Sequence, residues 1–161
     1  MLKTYGYATD KAKSPLAPFN FERRDPGAND VQIKILYCGV CHSDLHQTRD
    51  EWGFARFPMV PGHEIIGKVT AIGDAVTGFT IGQTVGVGCL VDSCRVCTDC
   101  KDHLEQFCNA PTFTYNSEDK ISGGNTYGGY SSQIVVDQHF VLHISDKLDP
   151  AAAAPLLCAG I

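Results

Sequence analysis

Residues 62–76 read Gly-His-Glu-Ile-Ile-Gly-Lys-Val-Thr-Ala-Ile-Gly-Asp-Ala-Val. Glu64 to Ile72 forms a short strand-like run that ends on Gly73, and similar runs lie on both sides of it. Val31, Ile33, Ile35 and Tyr37 alternate with Gln32 and Lys34, the period of a half-buried strand, and Asp25-Pro26-Gly27 reads as the turn before it. Further runs occupy Gln83 to Val87, Ser132 to Val136 and Phe140 to Ile144, and glycines 73, 78, 82, 123, 124, 128 and 129 punctuate them. Glycine at so many junctions permits tight bends, so the expected fold is mainly β, a strongly curved sheet or partly closed barrel rather than a helical bundle.

Helical signals are few. Ser43 or Asp44 is placed to cap a short helix running to about Asp50, and Asp149-Pro150 is a cap and first-turn pair for the alanines 151–154. Pro155 should end or kink that helix and leave Leu156 to Gly160 irregular.

The chain has 161 residues, 43% of them apolar, enough for one buried core. Its 13 basic and 18 acidic residues leave a net charge of −5 with no basic block, which argues against nucleic acid or an anionic membrane as partner and favours a small molecule. No run approaches the roughly 18 apolar residues needed to span a bilayer, and the N-terminus lacks the apolar core of a secretory signal. The reading is cytoplasmic, where eight cysteines serve better as metal ligands or reactive thiols than as disulfides.

Cys94, Cys97, Cys100 and Cys108 are spaced C-x2-C-x2-C-x7-C in a polar segment with little strand or helix pattern. Four thiolates suit a closed tetrahedral zinc, whose binding replaces the core such a loop cannot build. Cysteines that merely fill space need apolar neighbours, whereas these lie among Asp92, Arg95, Asp99, Lys101 and Asp102. An iron–sulfur cluster is the sharper rival, but its bacterial run places the fourth cysteine after three residues and before a proline, and here Cys108 comes after seven and before Asn109.

Other candidate ligands are scattered over Tyr37-Cys-Gly-Val-Cys-His-Ser-Asp-Leu-His46, Pro61 to Gly67 and Cys158. Taken singly, His63 reads as a satisfied histidine and Cys158 as buried filler. Taken together, the spacing G-H-E-x2-G-x5-G-x2-V over 62–76, the four-cysteine loop after it, and YCGVCHSDLHQ, PMVPGHE, TYNS, GGYSSQIVV and PLLCAGI resemble the zinc-containing medium-chain alcohol dehydrogenases, in particular the cinnamyl-alcohol dehydrogenase and broad aldehyde reductase subgroup.

That resemblance implies a GroES-like catalytic domain over residues 1–161, with a structural-zinc loop over 89–112. It implies two zinc ions per chain, one on the four loop cysteines and a catalytic one on Cys41, His63 and Cys158, leaving a position open, with Glu64 a nearby catalytic carboxylate that either reaches the metal transiently or orients its ligands. Alcohol and aldehyde would then interconvert by hydride transfer, zinc acting as Lewis acid and NADP(H) carrying the hydride. Ser43 resembles the hydroxyl that passes the substrate proton to the cofactor ribose, and His46 the outer member of that relay. His42 takes the place of a cofactor-pyrophosphate contact, and His46 also faces the cofactor. Gln47, Trp52, Phe54, Cys89 and Phe113, with Ser43, resemble the substrate-pocket lining; Cys38 is left as strand packing.

The family also needs a doubly wound nucleotide-binding domain opened by Gly-x-Gly-x-x-Gly, and this chain has no such turn after a strand. The expectation is therefore part of a longer enzyme, a homodimer by resemblance, with little hydride transfer by the 161 residues alone. Two other readings are a zinc-stabilised binding module without catalysis and a zinc-free quinone reductase of the same superfamily, which would lack these ligands.

Overall fold

The computed structural model describes residues 1–160; Ile161, the last residue of the expected domain, lies outside them. Five strands form the central sheet: β3 (Asp30–Cys38), β4 (Ile65–Ile72), β5 (Thr84–Val87), β8 (Gln133–Asp137) and β9 (Leu142–His143), in the antiparallel order β8-β3-β4-β5-β9. A hairpin of β1 (Leu2–Ala8) and β2 (Ala17–Arg23) joins it through a bridge between Gly6 and Ser131. A third pair, β6 (Leu90–Asp92) and β7 (Thr112–Phe113), closes the base of the cysteine loop. Register shifts in β3 after Gln32 and after Ile35 bend the sheet toward a partly closed barrel.

Successive residues of β4 serve opposite faces. Ile65 packs with Val31, Ile33, Val69, Val85, Val87, Ile134 and Val136 inside the curve, whereas Ile66 faces outward onto Ala153 and Ala154. Both isoleucines are fully buried, a contribution of about 1.5–3 kcal/mol each relative to exposure. The outward contact holds α3 (Pro150–Ala153) and the 3-10 turn Ala154–Leu157 against the barrel, and so returns the end of the chain to the start of β4. Asp149 caps α3 by accepting the Ala151 and Ala152 amides at 2.8 and 3.2 Å, and the α geometry gives way before Pro155 as expected.

Two expectations need correction, and the hairpin β1–β2 is an addition to them: half of its residues are exposed, and Pro18 sits in β2, which an edge strand tolerates. The run Phe140 to Ile144 is a 3-10 turn over Gln138–Phe140 followed by the two residues of β9, because the Asp137 side chain accepts the His139 amide at 2.9 Å and turns the chain. The first helix, α1 (His42–Thr48), is capped at Cys41, not at Ser43 or Asp44, and it stops short of Asp50, whose φ is +52°. Among the described residues the α-helices α1, α2 (Thr98–Lys101) and α3 are all short, and none is long and apolar enough to cross a membrane.

Candidate metal centres

Cys94, Cys97, Cys100 and Cys108 direct their sulfur atoms to one point, all within 4.8 Å of one another. Cys97 caps α2, and the sulfurs collect backbone donors: the Cys97 amide on Cys94 at 3.4 Å, the Cys94 amide on Cys108 at 3.4 Å and the Ala110 amide on Cys108 at 3.3 Å. Amides aimed at sulfur favour the thiolate, and those of Val96 and Cys97 draw the Cys94 thiol down to about 6. Cys94 and Cys100 sulfurs are 3.8 Å apart, and a tetrahedral zinc with bonds of about 2.3 Å sets its ligands about 3.8 Å apart. The donor set and its spacing fit zinc.

The second cluster is assembled from distant segments. Cys41 begins α1, His63 and Glu64 enter β4, and Cys158 follows the 3-10 turn after α3; their donor atoms again lie within 4.8 Å. The sulfurs of Cys41 and Cys158 are 3.9 Å apart across 117 residues. Cys41, His63 and Glu64 are buried and Cys158 is half-buried. Burial opposes the Cys41 thiolate, but the Ser43 amide and hydroxyl, the latter at 3.6 Å, bring its pKa below the ordinary value. Burial, with Cys89 and Cys41 alongside, pushes the Cys158 thiol up to about 12. Two soft sulfurs and one imidazole, with a carboxylate beside them, fit a zinc with an open position.

Two glycines make room for this cluster. A Cβ on Gly39 would meet Oε2 of Glu64 at 2.0 Å. Gly62, at φ +102°, brings the chain past Tyr130 and Cys38 into His63, where a Cβ would stand 2.6 Å from the Tyr130 ring.

Asp44 was expected only as a cap, yet it organises the site. Its carboxylate is 3% exposed and accepts the Cys41 amide at 3.0 Å, the Gly62 amide at 3.0 Å and the Tyr130 hydroxyl at 3.3 Å. It also lies 3.3 Å from Nδ1 of His63. Burial opposes charge on both partners, but their mutual contact prevails, holding Asp44 below and His63 above the ordinary ranges. Nothing in CHSDLH announces this, because Gly62 and His63 arrive only through the fold.

A cavity of about 190 Å³ opens beside His63 and Cys158, lined also by Ser43, Gln47, Trp52, Cys89 and Phe113. Thr114 and Tyr115, which the sequence offers only as part of the TYNS motif, complete it, the Tyr115 ring stacking on His63 at 5.7 Å. Phe54 stands outside this wall and stacks on Trp52 at 5.9 Å. His42 is exposed, with its ring 4.6 Å from that of His46. His46 in turn lies on Trp52 and places Nδ1 2.5 Å from Glu51, a partner the sequence did not suggest. Cys38, the last residue of β3, packs against the core, and its burial pushes the thiol up to about 12.

The alcohol dehydrogenase GroES-like domain family matches residues 27–146. A probable mannitol dehydrogenase of Fragaria ananassa is 52% identical over 159 residues, 99% of this chain and 44% of that protein. Aldehyde reductase YahK of Escherichia coli K12 is 56% identical over 151 residues, 93% of this chain and 43% of that protein. Among solved structures, the cinnamyl alcohol dehydrogenase of Helicobacter pylori complexed with NADP(H) superposes with a TM-score of 0.96 at 43% identity, covering 99% of this chain and 46% of that one. The chain thus spans less than half the length of each of these proteins.

Proposed function

The chain belongs to the alcohol dehydrogenase GroES-like family, and from that membership we propose that it is the metal-binding part of an enzyme that interconverts primary alcohols and aldehydes with NADP(H). Cys41, His63 and Cys158 would hold a zinc ion that supplies a Lewis acid for the substrate oxygen, with NADP(H) as the hydride carrier. The similarity to the NADP(H)-complexed structure supports the choice of cofactor. Cys94, Cys97, Cys100 and Cys108 hold a second zinc that folds their loop.

The chain's own residues orient and protect the reaction. Asp44 fixes the His63 ring through Nδ1, which leaves Nε2 as the metal donor. Glu64 stays beside the ligands, where burial raises its pKa. Ser43 Oγ at the pocket wall would take the substrate proton while giving up its own toward the cofactor ribose, and His46 would be the outer acceptor on Nε2, with Nδ1 held by Glu51. Trp52 and Phe113 make the wall apolar and favour flat or apolar substrates, with Phe54 extending it outward. His42 and His46, with rings side by side, would face the cofactor.

The observation that carries this reading is the convergence of Cys41 and Cys158 at 3.9 Å next to His63, beside a cavity that His63 and Cys158 line and that is large enough for a small aldehyde. Metal counting after exhaustive dialysis tests it. Two retained zinc ions in the wild type and one in His63→Ala or Cys158→Ser are expected. One ion in all three proteins would leave only a metal-folded binding module.

A further inference from the structure

Outside both cysteine-containing centres, three further side chains converge where the cysteine loop meets the turn after β8. His103 follows α2, Glu105 opens the 3-10 turn Glu105–Phe107, and His139 sits in the turn Gln138–Phe140 after β8. One donor atom from each lies within 4.8 Å of the other two. Nε2 of His139 is 2.6 Å from Oε1 of Glu105, and the rings of His103 and His139 are 6.4 Å apart. We infer that His103, Glu105 and His139 form a third, solvent-facing site for a divalent transition-metal ion, zinc by preference, which ties the cysteine loop to the sheet.

The chemistry of the donors selects the ion. Two imidazoles and one carboxylate suit zinc and its transition-metal neighbours, whereas magnesium and calcium call for oxygen ligands throughout. His103 is exposed and His139 is 42% exposed, so water can complete the coordination. Glu105, in contact with His139, is more sheltered than either histidine. Arg95 lines the same cleft, but its guanidinium is engaged by Asp92 and Asp137 at 2.9 and 3.0 Å.

The backbone holds all three ligands in place without an ion. His103 adopts φ +59° as the chain leaves α2, and the Leu104 amide returns to the Asp99 carbonyl at 2.8 Å. The Cys108 amide donates to the Glu105 carbonyl at 3.0 Å, which joins the turn carrying Glu105 to a cysteine of the loop. His139 is fixed from the other side, where the Asp137 carboxylate accepts its amide at 2.9 Å. Two ligands therefore move with the cysteine loop and one with the sheet. An ion shared among them would replace the proton that now joins Glu105 and His139 and would restrain the loop against the barrel.

This inference goes beyond the dehydrogenase reading and does not depend on it. The test is calorimetric titration of Zn2+ into the full chain after zinc has been loaded and the excess dialysed away. A further, weaker equivalent is expected. His139→Gln and Glu105→Gln should each weaken it by more than the roughly tenfold that loss of even an outer hydrogen bond costs a metal site, while the tightly held zinc is unchanged. In wild type, the added Zn2+ should also slow proteolytic cleavage between residues 94 and 108. Absence of the extra equivalent, or one unaffected by both substitutions, overturns the inference. Loss of zinc from the Cys41 centre in His63→Ala leaves this titration unaltered, so the two claims fail separately.

Discussion

The carboxylate of Asp44 lies 3.3 Å from Nδ1 of His63, and both side chains are almost wholly buried. Through Asp44 the first turn of α1 is bonded both to the Gly62 amide and to the neighbouring imidazole. One side chain thus sets the position of Cys41 and the ring orientation of His63.

Asp44→Asn keeps the shape but removes the charge that orients the ring. Affinity for the zinc at Cys41, His63 and Cys158 is expected to fall by about 10- to 100-fold, with the four-cysteine zinc unchanged. Competition with a chromophoric chelator resolves the two ions. Equal loss from both, or from neither, would contradict the role given to Asp44.

Gly39→Ala would drive a methyl group into Oε2 of Glu64, so it is expected to cost about 1–3 kcal/mol. Gly78→Ala is the control, because its Cβ meets nothing within 4 Å. Urea midpoints of the two variants should differ clearly, and coincident midpoints would mean that Glu64 can move aside at no cost.

Asp30 is buried at the start of β3, where it accepts two hydrogen bonds from Arg24 and one from the Gly27 amide. Burial opposes its charge, yet Arg24 and Gly27 hold its pKa below the ordinary value. A depressed folded pKa means that the stabilisation is present above the unfolded value of about 3.9 and is lost as pH falls through the folded value. Asp30→Asn should cost about 2 kcal/mol at neutral pH, and the gap from wild type should close as denaturation is followed down toward pH 3. A gap independent of pH would show that the carboxylate charge contributes nothing.

Trp52 is the single tryptophan, and it lines the cavity. A nitro-substituted benzyl alcohol should quench its fluorescence in a saturable way, and Phe113→Ala should weaken that binding by about fivefold, one aromatic contact's worth. Linear quenching of equal slope in both proteins would mean that the cavity does not hold the ring.

The sequence was most legible where the chemistry is local. Four cysteines between 94 and 108 declare a metal loop by spacing alone, and the alternation from Val31 to Tyr37 declares β3, because both patterns are complete within one segment. Cys41, His63 and Cys158 are uninformative one by one, and only the family resemblance grouped them before the fold brought Cys41 and Cys158 together across 117 residues. Asp44, Glu51 and the hairpin β1–β2 could not be read. Asp44 acts on residues that tertiary packing delivers, Glu51 on a ring one turn away that could equally face solvent, and the sheltered side of β1 is Thr4, Gly6 and Ala8, too small to mark an apolar stripe.

The central claim is that Cys41, His63 and Cys158 share one zinc ion. Anomalous diffraction at the zinc edge from crystals of the zinc-loaded chain tests it directly. The prediction is two strong peaks, one among the four loop cysteines and one bounded by the Cys41 and Cys158 sulfurs and the His63 ring, with sulfur about 2.3 Å from each. A single peak in the loop, with the Cys41 and Cys158 thiols open to alkylation, would contradict it.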